Sequence, residues 1–110
     1  MFTPHAIERG KTPGCWGVAL HHEESGKIYW MDVSLNTRDH EFEIDWNQYI
    51  FYNTDPDDME RKEFQEDAEN FEEAVEACYQ VLQEQKEVTV GAEGEFYLKK
   101  TWKGGKSWTL

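Results

Sequence analysis

Basic side chains are scarce in this chain. Eleven lysines and arginines stand against twenty-three aspartates and glutamates, a formal net charge of −12 over 110 residues. A surface so poor in cations is a weak match for a phosphate backbone, which speaks against direct nucleic-acid binding. Serine is nearly as rare. Ser25, Ser34 and Ser107 are the three present, and none stands in a nucleophile elbow. No Cys-x-x-Cys, His-Glu-x-x-His or calcium-loop spacing occurs, and Gly104-Gly105 does not lead into a helix that would cradle phosphate. The expectation is a protein with no catalytic residues, no metal and no cofactor.

Two cysteines, Cys15 and Cys78, lie far apart in the chain. In a reducing compartment they read as small apolar side chains, although an even count leaves a disulfide open. No apolar run approaches the ~20 residues of a membrane span. The stretch from Met1 to Gly10 lacks the apolar segment of roughly 7–15 residues that marks a secretory signal. The expected location is the cytoplasm.

What is abundant is acid and aromatic surface. Between Asp55 and Glu87 thirteen carboxylates face three basic residues, Arg61, Lys62 and Lys86, a net −10 of the whole charge. The last twelve residues reverse the sign with Lys99, Lys100, Lys103 and Lys106 and carry no acid. Aromatics make 15% of the chain, which separates it from acidic disordered tails, poor in such residues. A chain this long forms one domain with one core.

Periodicity assigns the elements. Residues 1–13, with Pro4, Gly10 and Pro13, read as an irregular arm. Trp16, Val18, Leu20 and His22 alternate with other residues, then Tyr29, Met31, Val33 and Leu35 do the same after the turn Glu23–Gly26; this is a hairpin. From His40 to Trp46 the alternation is sharpest, with Phe42, Ile44 and Trp46 on one face and Glu41, Glu43 and Asp45 on the other. The apolar run Tyr49–Tyr52 extends that strand after a kink. Asp55-Pro56 opens a long acidic helix over 55–86. Its apolar stripe is Phe64, Ala68, Phe71, Val75, Cys78 and Leu82, and a break or restart near residue 67 is marked by a capping box at Asn70 and Glu73. Val88 with Val90, Phe96 with Leu98, and Trp108 after the Lys103–Lys106 turn supply short C-terminal strands over 87–110. The fold class is α+β: an antiparallel sheet of five to six strands, in the order β-β-β-α-β-β-β, with one long amphipathic acidic helix on one face. Phe71, Val75, Cys78 and Leu82 are expected to lie against Phe42, Ile44 and Trp46. Trp30, Trp102 and Trp108 read as core, with an exposed interface role as the alternative.

Two rows of carboxylates stand out: Glu41, Glu43 and Asp45 on the strand, and Glu66, Glu69, Glu73 and Glu76 on the outer helix face. Solvated surfaces explain single rows of this kind. Ordered rows on two rigid elements also imitate a phosphate array, or fill the basic groove of a nuclease, defence effector or toxin. In size, acidity and sheet-plus-helix plan the chain resembles small phage anti-defence proteins (anti-CRISPR and DNA-mimic inhibitors) and toxin-immunity proteins. No diagnostic motif is shared, so the resemblance assigns no residue role. The first expectation is an acidic inhibitor, monomer or homodimer, that blocks a basic nucleic-acid-binding surface of a protein partner through those seven carboxylates. The second is an immunity protein, which a toxin gene immediately upstream would distinguish. A third, a small metal-dependent enzyme, requires metal at His21, His22 or His40.

Overall fold

The computed structural model describes residues 1–46, 68–99 and 102–110. Its elements are β1 (Phe2–Arg9), β2 (Cys15–His22), β3 (Lys27–Asn36), β4 (Glu41–Trp46), α1 (Ala68–Glu84), β5 (Val88–Val90), β6 (Phe96–Leu98) and β7 (Ser107–Thr109). The α+β plan is present, as an antiparallel five-stranded sheet ordered β4-β3-β2-β1-β7, a two-stranded ribbon β5-β6 and one helix. The alternating runs explain the sheet. Ile7, Val18 and Met31 are paired across neighbouring strands and all three are fully buried beneath α1. The turn between β2 and β3 closes where expected, with Gly26 at φ 73 and its N–H donated to the His22 carbonyl.

The irregular arm is not found. Residues 2–9 form a strand hydrogen-bonded on both sides, to β2 and to β7. The alternation that identifies a strand is broken here by a register shift between Pro4 and Ala6. Such a bulge accommodates a proline that has no N–H for the ladder. Burial of Phe2 and Ile7 against the helix then holds the segment extended.

Helix α1 takes in Asn70 as its third residue, so Asn70 does not cap it, and the expected break near residue 67 falls outside the described residues. The rest of the expected helix, residues 55–67, lies outside the described residues, as does the run Tyr49–Tyr52. The buried stripe is Ala74, Cys78, Val81 and Leu82, while Phe71 and Val75 are half-buried at its margin. The expected stripe is thus rotated by part of a turn. The helix packs chiefly over β1, with β2 and β5, and reaches β4 through Tyr79. Phe42 on β4 instead stacks on Tyr79, with ring centroids 5.2 Å apart, and meets Phe96 at 4.6 Å.

The helix ends in a Schellman motif. Lys86 takes a left-handed conformation (φ 59), its N–H is donated to the Gln83 carbonyl, and the Glu87 N–H reaches back to Leu82. The position after such a cap usually carries an apolar residue that turns into the core. Here it is Glu87, only 3% exposed. Its carboxylate accepts two hydrogen bonds from the Arg9 guanidinium and a third from Trp16 Nε1 at 3.1 Å. The paired carboxylate raises the Arg9 pKa further above its ordinary value. Trp102 and Trp108 cover the guanidinium at 5.4 and 5.5 Å, and the Lys103 carbonyl accepts a further hydrogen bond.

Leu82→Ala is expected to cost ~2–5 kcal/mol by chemical denaturation, and Phe71→Ala less, in keeping with its half-burial. Arg9→Ala and Glu87→Ala should each cost ~3–5 kcal/mol, because each strands a buried charge. The double variant should cost less than the sum; simple additivity would mean that the two groups do not act as a pair.

Candidate protein-interaction surface

Strand alternation gives this sheet two unlike faces. The residues under α1 are apolar. The opposite, outer face is acidic. Across it one row reads Ser107, Glu8, Gly17, Asp32 and Asp45, each paired with the next. The adjoining positions pair Ser34 with Glu43 and Asn36 with Glu41. Glu8, Asp32, Glu41, Glu43 and Asp45 are all exposed. With strands ~4.8 Å apart and alternate residues ~6.8 Å apart, the five carboxylates occupy a patch of roughly 14 Å by 14 Å. No strand residue in register on this face is a lysine or arginine. Asp32 directly opposes Asp45, and like charges so placed destabilise a sheet.

One large apolar group lies among them. Trp30 donates its indole N–H to Asp32 Oδ1 at 3.1 Å and lies over Gly17. A Cβ on Gly17 would stand 1.8 Å from the Trp30 ring, so only glycine permits this placement. Trp30 therefore belongs to the outer face, whereas Trp16 is core and Trp102 and Trp108 are half-buried around Arg9. The sequence signal for Trp30 was its phase, opposite to Tyr29 and Met31.

At the β4 end the acidic surface turns into a cleft of about 420 Å³. Asp39, Glu41, Glu93 and Glu95 surround a floor of Phe42, Tyr79 and Phe96. The β6 ribbon is tied there by the Phe96 N–H, donated to the His40 carbonyl at 3.0 Å. Burial, and then the neighbouring Glu76 carboxylate, push the Tyr79 phenol pKa up.

The two expected carboxylate rows are not brought together. Glu41, Glu43 and Asp45 are on the outer sheet face, and α1 covers the other side. Glu73 and Glu76 are exposed on the outside of that helix, with the Met1 amino group 3.6 Å from Glu73 Oε1. Glu69 is in the helix, and Glu66 lies outside the described residues. The imidazoles are also apart. His21 and His22 point to opposite faces at one end of β3, and His40 sits in the turn at the other end. Among the described residues no three His, Cys, Asp or Glu side chains are close enough to share a metal ion. Nor is any helix among them long and apolar enough to cross a membrane.

Both cysteines are free and lie on opposite sides of the sheet, Cys15 outward and Cys78 in the core. Burial pushes the Cys78 thiol up to about 12. No family model, curated protein or solved structure matches this chain.

Asp45→Asn should raise stability by about 0.5 kcal/mol by relieving the repulsion with Asp32, and added salt should shrink the gain. With a thiol reagent such as DTNB, Cys15 should react in the native protein and Cys78 only after unfolding. Two rapid equivalents from the native protein would place Cys78 at the surface.

Proposed function

We propose that this protein is a small acidic inhibitor that occupies a basic, nucleic-acid-binding surface of another protein, in the manner of the DNA-mimic inhibitors it resembles in plan. The observation that carries the reading is the outer sheet face, with five exposed carboxylates and no strand-borne lysine or arginine. A face kept acidic at the cost of the Asp32–Asp45 repulsion is complementary to a groove built for phosphates. Glu41, Glu43 and Asp45 form the contact, and Trp30 supplies the apolar anchor that slows dissociation. The cleft beside Glu41 receives a lysine or arginine of the partner over its aromatic floor. Glu69, Glu73 and Glu76, on the helix across the sheet, extend the negative field and steer approach. The inhibitor acts in the cytoplasm by occlusion, without bond-making chemistry.

The test is displacement of duplex DNA from purified nucleases and DNA-binding proteins, followed at rising salt. Glu41→Lys/Glu43→Lys/Asp45→Lys should abolish displacement with the fold intact. Glu73→Lys/Glu76→Lys should slow association roughly tenfold and leave dissociation nearly unchanged. Undiminished displacement by the sheet-face triple variant, or an affinity indifferent to salt, would remove the proposal.

A further inference from the structure

A cavity lies beside the Arg9–Glu87 pair, where α1 ends against the β5-β6 ribbon. Its volume, about 760 Å³, is that of a site for a small organic molecule. Tyr97 and Leu98 line it with apolar surface and Thr89 adds a hydroxyl. Arg9 and Glu87 also face it, but they neutralise each other. The remaining charges in the lining are Lys86 and Lys99. Neither forms an ion pair among the described residues, in a chain with more than twice as many acids as bases. Lys86 further occupies the left-handed helix-cap position that glycine fills without strain.

We infer that this cavity binds an organic anion: one carboxylate, sulfonate or phosphate group held between Lys86 and Lys99, on an apolar body of ring size lying against Tyr97 and Leu98. The site adjoins the acidic cleft through Tyr97, which packs on His40, but shares no lining residue with it. Lys86 and Lys99 both line the cavity, so a bound head group meets two ammonium charges.

The probe is 8-anilinonaphthalene-1-sulfonate, with N-phenyl-1-naphthylamine as the uncharged body and inorganic phosphate as the bare head group. The sulfonate should bind one per chain, shifting the amide resonances of Lys86, Thr89, Tyr97 and Lys99. The neutral amine should bind at least tenfold more weakly, and equimolar phosphate should not displace the sulfonate. Lys86→Gln and Lys99→Gln should each weaken binding roughly tenfold. Lys86→Gly keeps folding and binding separate: it should raise the melting temperature while losing the same affinity. Equal binding of the neutral amine, unchanged affinity in the lysine variants, or resonance shifts mapping elsewhere would overturn the inference. Displacement by phosphate would overturn the requirement for an apolar body.

Discussion

The buried pair of Arg9 and Glu87 is the contact through which the separate parts of this fold are joined. Arg9 comes from β1, Glu87 from the turn after α1, Trp16 from β2, and Trp102 and Trp108 from the C-terminal segment. Desolvating both charges is costly, and the arrangement is favourable because the guanidinium and the carboxylate hydrogen-bond each other, Trp16 and the Lys103 carbonyl, and the rings exclude water. The geometry is demanding enough to set the helix in place. A Schellman cap displaced by one residue would turn Glu87 away from the guanidinium and leave the arginine alone beneath two tryptophans.

That dependence explains what the sequence disclosed. The runs Trp16–His22, Tyr29–Leu35 and Phe42–Trp46 carry strict alternation, so β2, β3 and β4 were legible. Trp30, read as core from its size, instead lies on the outer face that its phase indicated. The same period put Glu41, Glu43 and Asp45 on one side. The stripe around Cys78 and Leu82 was legible as a helix face, but its orientation was not. Periodicity treats Phe71 and Ala74 by hydrophobicity alone, whereas packing on β1 selects the small residue for the close approach.

The strand β1 and the ion pair were hidden for related reasons. A bulge beside Pro4 destroys the period on which strand recognition rests, and β1 is stabilised by partners from distant parts of the chain. Arg9 and Glu87 are 78 positions apart and look like ordinary surface charges one at a time. The outer acid patch was half visible: the β4 row could be read locally. Glu8 and Asp32 join it only through the pairing of β1 with β2 and of β2 with β3.

The position of β4 at the border of the described sheet gives its carboxylates a second effect. A border strand offers unpaired backbone groups to any extended chain, including another copy of itself. Antiparallel self-pairing of β4 about Glu43 would bring Glu43 against Glu43 and Glu41 against Asp45, so ionised side chains oppose fibril-like stacking. Neutral side chains at these three positions would lift that barrier while the Phe42 and Ile44 side stays apolar. The same three carboxylates thus keep this border strand from pairing with its own copy.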